Sequence, residues 1–230
     1  MIKPTVIVRK LTDVSLLRAA NSFTTNRESK MTLATAYRLG HSPIRTQIFW
    51  IELRNIPLFV ASQLVRSHIG VQFFQLSKRT DRGAKDFRRV CYDLADSVSG
   101  ISHWGGSQTE ANRAQARIAE EIRQLSEQFD RYTPTDLAFI INAEALISMS
   151  HKRMCPKASM ETRLTFYLIR DKIAECDPDL FNHLVPACVY RNGICAEPQS
   201  CRFPSTDAGR IMLHDYQKTM KFAPDDNTDD

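Results

Sequence analysis

The run Thr46–Leu53 constrains this chain more than any other segment, because apolar side chains occupy both of its parities: Phe49, Ile51 and Leu53 on one, Ile48 and Trp50 on the other. A strand sends successive side chains to opposite faces, so such a run has to be covered on both sides and predicts a buried sheet. Thr5 to Val8 is a shorter β-branched run and a second strand candidate. Helical signals surround these runs. Asp13 to Ser22 and Lys30 to Leu39 read as helices, the second stopped by Gly40. Pro57 can open another, through Phe59, Val60, Gln63 and Leu64 to Arg66, since its fixed φ and missing N–H suit a first turn.

Further along, Ala111, Ala114, Ile118, Ile122, Leu125 and Phe129 step by three and four, which predicts a helix with one apolar stripe. Thr133, Pro134 and Asp136 supply a cap, a first-turn proline and an early acid, and predict a helix running through Phe139, Leu146 and Met149. A last helix follows Pro156 and carries Leu164, Leu168, Ile169 and Ile173. No repeat or linker divides the 230 residues, so the expectation is a single domain over residues 1–223 with an acidic, disordered tail over 224–230.

With 43% hydrophobic and 25% charged residues the chain resembles an ordinary globular protein rather than a disordered or fibrous one. No apolar run approaches the roughly 20 residues that cross a bilayer. The first nine residues lack the apolar core of a secretory leader, and six cysteines are too sparse for a disulfide scaffold, so a cytoplasmic protein with reduced thiols and no membrane is expected.

Charge is unevenly placed. Between Arg66 and Arg89 stand seven basic residues (Arg66, Lys78, Arg79, Arg82, Lys85, Arg88 and Arg89) against Asp81 and Asp86, an excess of five that equals the net charge of the whole chain. Arginine predominates, which suits forked recognition of phosphate or carboxylate; a solvated basic face is the alternative. Within this segment Gln75, Ser77 and Arg79 alternate, so in an extended conformation an amide, a hydroxyl and a guanidinium face one side. An ordinary polar loop fits the same residues.

Asn142 and Arg153 are eleven residues apart, which on a continuous helix returns to the same face about 16 Å further along the axis. The two can line one groove, or Arg153 can simply complement the helix C-terminus. His183, Cys188, Cys195 and Cys201 suggest zinc, but the gaps between the thiols are wrong for paired cysteine knuckles, and no metal is expected. Neither a nucleophile elbow nor a glycine-rich phosphate loop is present.

Taken together, Gly40-His41, the stretch Pro57 to Arg66, Ser67-His68, and Gln75-Leu76-Ser77-Lys78-Arg79 resemble the flavin-dependent thymidylate synthases (ThyX), whose signature runs Arg-His-Arg-x-x-Ser-x-Asn-Glu-x-Ser-x-Arg. Asn142-Ala143 with Arg153, and Ala158-x-x-Glu161-x-Arg163, look like that family's second block, and the Pro186 to Cys201 segment looks like an extension seen in some members. The likeness spans residues 18–201. It departs from the family at Arg66-Ser67-His68-Ile69 in place of Arg-His-Arg, at Phe74 and Gln75 in place of Asn-Glu, and at Pro43, Thr46, Glu144 and Ser148.

The resemblance implies an α+β fold with a ThyX-like central β-sheet flanked by helices, and a homotetramer whose active sites are shared between subunits. It implies transfer of a one-carbon unit from 5,10-methylenetetrahydrofolate to C5 of dUMP, with FAD as hydride carrier, NADPH as reductant, and no nucleic-acid partner. Arg153 takes the catalytic position beside the uracil. Gln63, Arg66, Gln75, Ser77, Arg79 and Arg153 are expected to bind the deoxypyrimidine monophosphate, and His41, Arg66, His68 and Asn142 to face the flavin. Hydroxymethylation of the same nucleotide, or nucleotide binding without catalysis, are the alternatives.

Overall fold

The structure, a computed structural model, describes residues 4–76, 91, 94–96, 112–124 and 131–221 in full and the backbone of 108–111 and 125–130. Ser77, Arg79, most of the basic segment and the acidic tail lie outside the described residues.

Four strands form one antiparallel sheet in the order β1-β2-β4-β3: β1 Thr5–Lys10, β2 Ile48–Pro57, β3 Val71–Gln75 and β4 Pro134–Asn142. The run that predicted a buried strand is central, flanked by β1 and β4. Its residues Phe49, Ile51 and Leu53 are fully buried, and they meet Leu137, Phe139 and Ile141 of β4 on the same face. Burying such side chains contributes roughly 1.5–3 kcal/mol each. The opposite face is more open, with Trp50 against Phe74 at 5.7 Å and the Trp50 indole N–H donating to Glu52 Oε1 at 2.9 Å.

One expectation is overturned here: Pro134–Asn142 is a strand, where Thr133, Pro134 and Asp136 predicted a helix start. Leu137, Phe139 and Ile141 alternate with half-buried neighbours, and pairing with β2 on one side and β3 on the other satisfies the backbone. Pro134 sits at the first strand position, where a missing N–H is tolerated. Asp136 does not cap a helix; its Oδ1 accepts from the backbone N–H of Asn55, whose φ is +57° in the irregular stretch of β2.

The helices are α1 Val14–Thr25, α2 Leu33–Leu39, α3 Leu58–Leu64, α4 Gln108–Tyr132, α5 Ala143–Arg153, α6 Met160–Cys176, the one-turn α7 Pro178–Phe181 and α8 Ala187–Tyr190, and α9 Asp207–Thr219. Asp13 and Thr32 cap α1 and α2 through their side chains, and Gly40, at φ +65°, ends α2 as its position predicted. Leu17, Leu146, Phe166, Ile169 and Ile173 complete the main core around the sheet. The predicted stripe of α4 is not its buried face: Ala114 and Ile118 are exposed, while Gln115 and Ala119 are buried.

β1 is fastened to the far end of α6 by a buried carboxylate. Asp177 Oδ2 accepts from Lys10 Nζ and from Tyr37 Oη, each at 2.7 Å, and its Oδ1 caps α7 at Leu180 N. Beyond α7, Val185, Cys188, Val189 and Tyr216 form a second, smaller core with Cys195, Phe203, Met212 and Leu213 packed against it.

Candidate functional site

Helices α3, α5 and α6 bring together three of the six predicted nucleotide residues, Gln63, Arg66 and Arg153. β2 ends at Pro57, and α3 starts as Leu58 N donates to Thr133 O. Gln63 lies in its last turn, and Arg66 follows two residues beyond its end, exposed to solvent. Arg153 is the last residue of α5, and its Nη2 donates to the Gln63 carbonyl oxygen. From α6, the buried Thr162 hydroxyl donates to Gln63 Oε1 at 2.8 Å and itself accepts from Ser159 Oγ at 2.8 Å. The backbone carbonyl and the side-chain Oε1 of Gln63 are thus both engaged, and its Nε2 is left as the donor available to a ligand.

Burial, and then the Arg66 guanidinium, pull the Arg153 pKa down from its usual value, and no carboxylate among the described residues contributes in the other direction. Arginine remains charged under such a shift. Two guanidiniums felt by one another and not offset by an acid make a place where an anion, or a ring on which negative charge develops, is favoured. Ser159 and Thr162 were not singled out in the sequence, although a serine cap three residues before a threonine, beside the quoted Glu161 and Arg163, is a local signal for them. Arg163 has a buried Nε with no hydrogen-bond partner among the described residues.

Of the residues predicted to face a flavin, Asn142 stands at the start of α5 and the segments bearing His41 and His68 are tied to it through the backbone, whereas Arg66 lies beside Arg153 at the helix's other end. Asn142 is not within a helix, as its pairing with Arg153 supposed. It ends β4 and caps α5, its Oδ1 accepting from Ala145 N at 2.9 Å. The turn Ser42–Thr46, which His41 precedes, is tied to this point: Ala143 N donates to Gln47 O, and Arg45 grips Glu144 with two bonds of 2.6 and 3.1 Å. The loop bearing His68 arrives from the other side, where Asn142 N donates to Gly70 O at 3.0 Å. Gly70 has φ +71°, and a Cβ there would lie 2.5 Å from Asn142 Nδ2. Only glycine lets the loop pass this close to that amide.

A flavin dinucleotide needs donors for its ring and cations for its pyrophosphate. His41, His68 and Arg66 are exposed and hold no side-chain partner among the described residues, and Asn142 keeps Nδ2 free of its cap. This donor set fits the group. Glu144 does not oppose it, because Arg45 neutralises that carboxylate.

Gln75 is not brought to this corner. It ends β3 opposite Leu137, five residues and about 17 Å along the edge strand from Gly70. Ser77 and Arg79 lie outside the described residues. The described residues hold no group of three or more His, Cys, Asp or Glu arranged to bind a metal ion, and no helix among them is long and apolar enough to cross a membrane.

A family model described as thymidylate synthase complementing protein matches residues 13–179. Two solved structures of Helicobacter pylori ThyX, both with FAD and dUMP, are similar in fold. One is 15% identical and covers 78% of this chain and 99% of its own, with a TM-score of 0.50. The other is 13% identical and covers 79% and 99%, with a TM-score of 0.49. No curated protein matches the sequence.

Proposed function

Because the chain belongs to the thymidylate synthase complementing protein family, we propose that it is a flavin-dependent thymidylate synthase acting on dUMP, with FAD as resident cofactor and 5,10-methylenetetrahydrofolate and NADPH as co-substrates. The observation that carries this reading is the pair of guanidiniums, Arg66 and Arg153, set about Gln63 with no carboxylate among the described residues to offset them.

In this reading Arg66 and the Gln63 amide bind and orient the nucleotide. Arg153 lies against the uracil edge, and its remaining N–H groups stabilise negative charge that grows on the ring as C5 becomes nucleophilic. Its partly buried position strengthens that effect, since fewer waters screen it. His41, His68, Arg66 and Asn142 would hold FAD, which supplies the hydride when reduced. Asn142 is oriented by its own cap, so its Nδ2 is presented without a rotamer search.

Gln75, Ser77 and Arg79 would act on the nucleotide of a neighbouring subunit in a homotetramer. This assignment follows the sharing of active sites between subunits that the resemblance to the family implies. A cytoplasmic location accords with substrates of this kind.

Purified protein incubated with C5-tritiated dUMP, the folate and NADPH should release tritium and form dTMP. A flavin-free, colourless protein that binds dUMP without releasing tritium even after FAD is added would overturn the assignment.

A further inference from the structure

Arg45 was not among the residues predicted to face a flavin, yet it reaches the corner where Asn142 stands. It lies near the end of the turn Ser42–Thr46, which His41 precedes, and its fork meets Glu144 in the first turn of α5. Nε donates to Oε2 at 2.6 Å and Nη2 to Oε1 at 3.1 Å. A two-pronged contact of this kind fixes orientation as well as distance. Close by, Ala143 N donates to Gln47 O at 2.9 Å, so the turn and the start of the helix are tied at two places. Each segment is also held on its own side. Thr46 Oγ1 donates to Pro43 O at 2.7 Å, Thr12 Oγ1 donates to Thr46 O at 2.8 Å, and Asn142 Oδ1 caps α5.

The pair faces solvent, with 60% of the Arg45 side chain and 39% of the Glu144 side chain exposed. Exposed ion pairs contribute only about 0–1 kcal/mol to stability, so the fold does not depend on this one. Its place at the corner gives it a different consequence. Glu144, two residues after Asn142, is a position at which the chain departs from the family's second block, and it puts a carboxylate where an anionic cofactor has to approach. Left unpaired, that carboxylate would repel a pyrophosphate.

We propose that the Arg45–Glu144 pair positions the cofactor: the fork draws the His41 turn against the start of α5, and Arg45 cancels the charge that Glu144 would turn toward the pyrophosphate of a flavin dinucleotide. Both are positioning residues, acting through His41 and Asn142. The inference rests on the flavin reading and adds to it two residues that the reading did not include. It carries an asymmetry that a purely structural pair would lack. Removing Arg45 strands a carboxylate before the anion, whereas removing Glu144 frees a guanidinium that attracts it.

The test is titration of FAD into flavin-stripped, full-length protein, followed by flavin fluorescence, with melting temperatures recorded alongside. R45A is expected to raise the Kd for FAD about tenfold or more and E144A about threefold or less, each within about 2–4 °C of the wild-type melting temperature. Added salt should narrow the gap between the two variants, because it screens the stranded carboxylate. R45E should bind FAD most weakly, and R45E/E144R, which rebuilds the fork with its ends exchanged, should return to within about threefold of wild type. Equal affinities of R45A, E144A and wild type, or an exchanged pair as weak as R45E, would overturn this inference and leave the flavin reading standing. Wild-type protein that takes up no FAD would overturn both.

Discussion

Thr162 and Gln63 stand 99 residues apart in sequence and are joined by a 2.8 Å hydrogen bond, Thr162 Oγ1 to Gln63 Oε1. Thr162 is fully buried and is held in turn by Ser159, so the bond fixes which end of the Gln63 amide faces outward. Replacing the hydroxyl by a methyl leaves the shape and removes the lock. T162V is expected to raise the Kd for dUMP by about tenfold, or about 1.4 kcal/mol, measured by calorimetry. Retention of wild-type affinity would show that the amide needs no such support.

Arg153 is assigned the developing charge on the pyrimidine ring. R153A is expected to lower kcat by about a hundredfold or more, while dUMP binding falls less. R153K should recover little, because an ammonium cannot keep the Gln63 carbonyl and serve the ring edge together. Weakened dUMP binding with kcat unchanged would move Arg153 to a purely substrate-holding role.

Gly70 should tolerate no side chain. G70A places a Cβ against Asn142 Nδ2 and forces an alanine into the left-handed region, at a cost of about 1–3 kcal/mol. The visible flavin absorbance retained on purification should fall with it, because the displaced amide is one assigned to the flavin. A variant with unchanged melting temperature and flavin content would count against this close approach.

Asp177 anchors β1, α2 and α7 at once. D177A leaves Lys10 and the Tyr37 hydroxyl without their partner in a buried place, and should cost about 3–5 kcal/mol in denaturant unfolding. A loss below 1 kcal/mol would mean that water replaces the carboxylate.

His183 gives the fold an acid sensitivity. Burial, then the Arg38 charge, lower its pKa to about 4 against the weaker opposing pull of Asp177. A histidine depressed in the fold binds its proton more readily when unfolded. Its contribution is therefore complete above the unfolded value near 6.5 and is lost as pH falls toward about 4. His151, lowered to about 4 by burial and then by Arg191, acts in the same direction. The slope of unfolding free energy against pH in that window should flatten in H183F. An unchanged slope would place the sensitivity elsewhere.

Local chemistry determined much of this protein from the sequence. The two-sided apolar run of β2 reads as a buried strand and Gly40 as the end of α2, and both hold in the structure. Each depends on neighbours within a turn or a pleat, so the necessary information is contiguous. What the chain alone left open, tertiary structure decided. Thr133, Pro134 and Asp136 carry helix-start signals, yet two flanking strands outweigh them, because ladder hydrogen bonds and burial of Leu137, Phe139 and Ile141 stabilise more than a cap does. The partners of Gln63 come from positions 90 and 99 residues away. No local period encodes such meetings; they arise only once the core has closed and fixed three helix ends against one another.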